Sequence, residues 1–261
     1  MGGNVSNPIS VQLYSVREHM GEDRDATLRR IADLGYKAVE PYSPADDPKG
    51  FRALADELGL SVSATHAGGL VREPEPGPTF EAVAQLGTQL AIVPAGIPEA
   101  EFTTRDGIAR AADLLNSLAQ QAEGYGLTLG YHNHWWEVEP KIDGVHALEV
   151  LAERLSPQVV LEIDTYWAAV GGARVPELLQ RLGDRVVALH VKDGPVVKGE
   201  PNTAVGAGAM AVPQILAARP GAWRVVELDS CAGDVFEALA ASHAYLTALA
   251  ADGASGEGAA R

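Results

Sequence analysis

The stretch LLQRLGDRVVALHVKD (178–193) decides how the rest of the chain reads. A helical segment stops at Gly183, and a run of β-branched and aliphatic residues then ends on His190, Lys192 and Asp193. Glycine just past a last helical turn takes up the left-handed conformation that closes a helix. An apolar run this short suits a strand buried on both faces. The same order recurs in RRIADLGYKAVE (29–40), LADELGLSVSATH (54–66) and AVAQLGTQLAIVP (82–94).

Read this way, the chain carries eight predicted strands, starting near Ile9, Tyr36, Leu60, Leu90, Leu127, Val159, Val186 and Arg224. Segments of helical periodicity lie between them, such as Ile108, Ala111, Leu115, Leu118 and Ala122, or Val235, Leu239, Leu246 and Leu249. Regular strand and helix alternation implies a parallel sheet, and eight units in 261 residues favour one closed (β/α)8 barrel of the α/β class over an open, doubly wound sheet. No G-x-G-x-x-G follows the first strand, so nothing points to a dinucleotide. The expected organisation is one barrel over residues 1–250 and a small, polar, disordered tail, ADGASGEGAAR, over 251–261.

Composition narrows the partners. Acidic residues outnumber basic ones 35 to 20, and the formal charge of −15 repels polyanions, so small neutral substrates are expected and nucleic acid is not. No apolar run is long enough for a membrane span, and MGGNVSNP at the start has no signal-peptide pattern. The single cysteine, Cys231, excludes an internal disulfide and a zinc site of several thiolates, and fits a reducing, cytoplasmic setting. A homodimer is left open.

A parallel barrel builds its site from residues at the C-terminal strand ends. Those ends read Gln12, Glu40, His66, the run YHNHWWE (131–137), Asp164, His190 with Lys192 and Asp193, and Glu227 with Asp229. Imidazoles and carboxylates gathered at one rim can hold a divalent cation, His suiting zinc, iron or nickel and carboxylates magnesium or manganese. In LEIDTYW (161–167) Asp164 ends an apolar strand with no local need of a charge, which marks a ligand; the alternative is a helix N-cap. His190 shares a face with Lys192 by the period of two, unless it is a core histidine, and Glu227 on the last strand is a ligand or a partner for a basic residue across the mouth. In the dense cluster of His132, Asn133, His134 and Glu137, either histidine can serve as ligand, base or substrate contact. Trp135 and Trp136 are candidates for a sugar platform or for plain burial.

These segments, with VQLYSVR (11–17), LGYKAVE (34–40), IDTYW (163–167), LHVKD (189–193), the VGAG turn (205–208) and VELD (226–229), resemble the xylose isomerase-like barrel superfamily. Within it the similarity is to the sugar phosphate isomerases/epimerases, in the branch that contains HNH. The resemblance implies one divalent metal ion, Mn, Mg, Zn or Co, with Asp164, His190 and Glu227 on the ligand positions. Where relatives that epimerise ketohexoses end the fifth strand in a Glu that is ligand and base, this chain has His132, and Glu137 follows five residues later. The fourth ligand is thus His132 or Glu137. Ala207 stands in the VGAG turn where relatives often have Glu.

The activity so implied is isomerisation or epimerisation of a small carbohydrate or polyol ketone through an enediolate. Glu227 and a residue among His132, His134 and Glu137 would move the proton, and Gln12, Glu40, His66, Trp135, Trp167 and Lys192 would contact substrate. A lyase, dehydratase or hydrolase of 3-keto glycosides or inososes on the same site is the alternative, since the same enolate can expel a β substituent. A non-catalytic sugar-binding barrel is the third reading. A sister branch that cleaves DNA at abasic sites uses three metals and more histidine ligands, and the acidic balance opposes it.

Overall fold

The computed structural model describes residues 7–44 and 47–257, with side chains described as far as Ala251. The strands are β1 (Ile9–Gln12), β2 (Ala38–Glu40), β3 (Ser61–Val62), β4 (Thr65–His66), β5 (Leu90–Val93), β6 (Thr128–His132), β7 (Lys141–Ile142), β8 (Val145–His146), β9 (Val159–Asp164), β10 (Val186–Val191) and β11 (Trp223–Val226). Nine of them form one sheet in the order β3-β2-β1-β11-β10-β9-β6-β5-β4. Every pairing in it is parallel. Its two ends, β3 and β4, are consecutive halves of the predicted third strand. The first half bonds to β2 and the second to β5, so the segment Ser61–His66 closes the barrel. All eight predicted strands are present, and the antiparallel β7–β8 hairpin is an insertion after β6 that the periodicity did not announce.

Helices cover the outside by burying one face each. In Arg105–Glu123 the buried positions include Ile108, Ala111, Leu115, Leu118 and Ala122, and Thr104 caps the first turn by accepting from the Gly107 amide at 3.1 Å. Each large aliphatic side chain buried there contributes roughly 1.5–3 kcal/mol. Gly87, at φ 80°, ends the helix Gly77–Leu86 in the left-handed conformation, the role read for it in the sequence. The last helix runs from Val235 to Glu257; of the tail expected after residue 250, residues 258–261 lie outside the described residues. Among the described residues no helix is long and apolar enough to cross a membrane.

Inside the barrel the period of two stacks side chains in layers. The titratable residues Glu40, His132, Glu162, His190 and Glu227 each have a small or apolar residue two positions earlier: Ala38, Gly130, Val160, Ala188 and Val225. A Cβ at Gly130 would come 2.3 Å from Ile92 Cδ1, so a larger residue there would displace the end of the Ile92 side chain. The apolar layer is thus a plug on which the polar layer stands.

Candidate active site

The polar layer forms the floor of a cavity of about 700 Å³ at the C-terminal end of the barrel, lined among others by His66, His132, His134, Trp167, Lys192 and Glu227. Six residues proposed from sequence therefore face it directly. Asp164 and His190 are fully buried beneath it, as are Gln12 and Glu40. Gln12 Nε2 donates to Glu40 Oε1 at 2.7 Å, so these two meet each other before they meet any substrate.

Lys192 carries the upper part of the site. Its Nζ lies 2.8 Å from Asp164 Oδ2, 2.7 Å from Glu227 Oε2 and 2.8 Å from Asp229 Oδ2. Burial disfavours the ammonium, but the charges of Asp164, Glu227 and Asp229 outweigh it and hold the lysine well above its usual range. Lys192 lines the cavity as expected of a substrate contact, with three carboxylates already around its charge.

Asp164 is the helix N-cap of its alternative reading, and its second oxygen is turned towards Lys192. Oδ1 accepts from the Trp167 amide at 2.8 Å and caps the helix Thr165–Val170, while Oδ2 faces Lys192 without forming a directed hydrogen bond. Burial raises its carboxyl to about 6, with the lysine charge opposing. Glu227 behaves differently. Burial opposes its ionisation too, yet Lys192 and His190 together push it well below the carboxylate range. It stays ionised at the cavity surface.

Below this, imidazoles converge on carboxylates. Glu162 Oε2 lies 2.9 Å from His66 Nε2, 3.1 Å from His132 Nδ1 and 3.1 Å from His190 Nε2. Glu40 Oε1 lies 3.0 Å from His66 Nε2 and 3.2 Å from His190 Nε2. The outward nitrogen of His190, Nδ1, meets Glu227 Oε2 at 2.7 Å. Burial lowers His66, but its bonds to Glu162 and Glu40 prevail and raise it to about 9. His132 goes the other way, to about 3, through burial and the neighbouring His190 charge. His134 falls to about 2, from burial and then from His132. Both of these imidazoles are neutral at physiological pH.

Two predicted residues are drawn away from the cavity. Glu137 accepts from the Tyr131 hydroxyl at 2.7 Å and from the His134 amide at 2.8 Å, and burial raises its carboxyl to about 7 although the Tyr131 bond opposes this. The turn after β6, in which the Val138 and Glu139 amides bond to Trp135 O, directs Glu137 back beneath the strand. So placed, Glu137 is turned from the cavity, whereas His132 lines it, with Nε2 3.8 Å from Asp164 Oδ2. Trp135 backs Trp167 at 4.7 Å between ring centroids and lies under the Lys198 ammonium at 3.9 Å, so its contact with substrate would be through Trp167.

Glu162 was missed from the sequence, although it lies two residues before Asp164 and shares its face by the same period that links His190 to Lys192. The rim residues Tyr14, Tyr42 and Arg72 also line the cavity, and nothing in the sequence set them apart.

The donor set fits a cation. Asp164, His190 and Glu227 offer atoms within 4.8 Å of one another, and His66, His132, Glu162 and His190 form a second such group. Glu40 Oε2 and Glu162 Oε1 are buried without a hydrogen-bond partner. Mixed imidazole and carboxylate donors suit zinc, manganese, cobalt or magnesium.

Comparison with known proteins gives the same frame. The inosose dehydratase of Geobacillus kaustophilus (strain HTA426) is 30% identical over 200 residues, which span 65% of this chain and 62% of that protein, so the match covers less than two thirds of the relative. A sugar phosphate isomerase/epimerase from Parabacteroides distasonis ATCC 8503 superposes with a TM-score of 0.76 at 24% identity, over 94% of this chain and 95% of its own. The IOLI protein, solved with a zinc atom, superposes with a TM-score of 0.72 at 15% identity, over 93% and 98%. Both structures share the fold. Residues 28–218, from the helix before β2 to the helix before β11, match the family description as a whole, and the chain belongs to the xylose isomerase-like TIM barrel family.

Proposed function

We propose that this chain is a metal-dependent enzyme that removes the proton next to the carbonyl of a small polyhydroxy ketone and so isomerises or epimerises a carbohydrate. The observation that carries this is the meeting of Asp164, His190 and Glu227 at the floor of the cavity, with Glu227 open to it. A divalent cation held by Asp164, His190 and Glu227, with His132 beside them, would polarise a carbonyl and its neighbouring hydroxyl and lower the cost of charge developing on oxygen.

The protein's own groups supply the rest. Glu227, kept ionised by Lys192 and His190, accepts the proton from carbon, and the electron pair moves onto the carbonyl oxygen. Lys192 Nζ, set among its carboxylates, fixes the position of Glu227 and Asp229. Trp167 lines the cavity with its ring 5.6 Å from Nζ and excludes water from that side. Delivery of the proton to the former carbonyl carbon, with the neighbouring hydroxyl's proton passing to the carbonyl oxygen, completes isomerisation, and delivery to the opposite face of the same carbon completes epimerisation.

A second reading, dehydration, is favoured by a specific observation. His132 and His134 stand across the cavity as neutral imidazoles, at about 3 and about 2, with no extra proton to return. A single-base route needs none, because Glu227 can pass the proton it took to a β-hydroxyl that leaves as water. The likeness to an inosose dehydratase supports the same route.

The test is proton exchange in D2O. Protein loaded in turn with Mn, Mg, Zn or Co is incubated with ketohexoses, inososes and 3-keto glycosides, and the carbon-bound protons are followed by NMR. A deuterated epimer or isomer supports the first reading, and loss of water with deuterium in the product supports the second. Absence of exchange across the panel with all four metals sinks both, and with them the enzyme assignment in favour of a sugar-binding barrel.

A further inference from the structure

Glu162 lies at the centre of the imidazole cluster, and no part of the proton chemistry above uses it. It is fully buried on β9, and one of its oxygens, Oε2, stands within 3.1 Å of His66 Nε2, His132 Nδ1 and His190 Nε2. The other nitrogen of two of these rings points the opposite way. His190 Nδ1 meets Glu227 at 2.7 Å, and His132 Nε2 faces Asp164 at 3.8 Å. A carboxylate can only accept hydrogen bonds, so each imidazole nitrogen that bonds to it must carry its proton there.

We infer that Glu162 is a positioning residue that fixes the tautomer of His132, holding a proton on its Nδ1. His132 Nε2 is thereby left with its lone pair directed at the Asp164 side of the site. His190 also reaches Glu162 through Nε2, while its Nδ1 donates to Glu227. Metal-bound histidines generally donate their second nitrogen to a carboxylate, which orients the ring and raises its basicity. Here the carboxylate does this for His132 on β6 from the neighbouring strand β9, and bonds on its other side to His190 of β10. His66 completes the arrangement. Its ring stacks on that of His190 with centroids 5.3 Å apart and its Nε2 bridges Glu162 and Glu40, so the carboxylate is gripped from a third side.

This inference rests on the proposed cation site, and its test separates the two. Long-range proton–nitrogen correlation spectra of the metal-free, nitrogen-15-labelled protein read the His132 tautomer without any metal. The expected result is a proton on Nδ1 in the wild type and a mixture of tautomers in Glu162→Gln, whose amide offers donors where the rings need an acceptor. The same variant is expected to bind Mn or Zn about 10- to 100-fold more weakly, by titration calorimetry, with Glu162→Asp recovering part of the loss. A wild-type His132 protonated on Nε2 overturns the inference even if the variants do not fold. So does a Glu162→Gln protein whose tautomer and affinity match the wild type. Binding of two metal equivalents, one of them lost in Glu162→Gln, overturns it as well and makes Glu162 a ligand of a second ion. Should the wild type bind no metal while His132 follows Glu162, the proposed function fails and the positioning role stands.

Discussion

On the lysine side of the site, one ammonium lies within 2.8 Å of Asp164, Glu227 and Asp229. On the imidazole side, three rings meet one oxygen of Glu162, and two of them reach Glu40 as well. Both sides neutralise buried carboxylates, but they do so by different means. The lysine provides a point charge on a flexible stem, which a small cation can replace or displace at modest geometric cost. The rings provide directed bonds in fixed planes, so what they confer is orientation. The difference teaches that charge and geometry are divided between the two sides, which meet at His190 through its Nδ1 bond to Glu227 and its Nε2 contacts with Glu162 and Glu40.

The largest effect that would test this division is expected from Asp164→Ala. It removes the carboxylate that belongs to both the donor set and the lysine cluster. Metal affinity should fall by more than about 100-fold, beyond the loss typical of an outer partner. The lost N-cap should cost only about 1 kcal/mol. Elemental analysis after desalting and circular dichroism read the two parts, and a variant that retains wild-type metal content removes Asp164 from the site.

Lys192→Met is next. Removing the ammonium leaves Asp164 and Asp229 without their cation and Glu227 with His190 alone, and the metal-free variant should lose about 3–5 kcal/mol at neutral pH. If a cation can stand in for the lysine charge, adding Mn should raise the melting temperature of the variant more than that of the wild type. An equal response in both would break the comparison.

A smaller effect sharpens it from outside both clusters. Burial raises Glu137 from 4.5 to about 7, so the folded state binds the proton more tightly than the unfolded state does. Its contribution is therefore fully present below about 4.5 and is lost as pH rises to about 7, amounting to at most roughly 3 kcal/mol. Denaturation at a series of pH values should show that slope in the wild type and a flatter one in Glu137→Gln. Unchanged slopes would mean that Glu137 is ionised where it lies.

The smallest expected signal is no signal. With a formal charge of −15, binding to an abasic-site duplex at physiological salt should be undetectable by fluorescence anisotropy. Tight binding would reopen the sister chemistry and give the imidazole side a second metal to hold.

Much of the site was legible because barrel strands hide nothing at their ends. Asp164, His190 and Glu227 each interrupt an apolar run, and a charge at such a point has few local causes. Glu162 escaped because it lies inside the run and not at its end, although its parity with Asp164 gives it away. Glu137 was read as a catalytic group or fourth ligand because sequence does not show which way a turn carries a side chain. The Tyr131 hydroxyl and the His134 amide that hold it became neighbours only when that turn formed.

Sequence alone determined the alternation of strand and helix, the closed parallel barrel and which residue types would gather at its rim. Those follow from local periodicity and from the fixed rule that side chains alternate along a strand. Tertiary structure alone decided which carboxylate pairs with which cation. Lys192 meets Asp229 from the segment after β11, and Glu162 meets His66 from 96 positions away. Pairings of that kind depend on distances across the barrel of a few ångströms, and no local pattern along the chain encodes them.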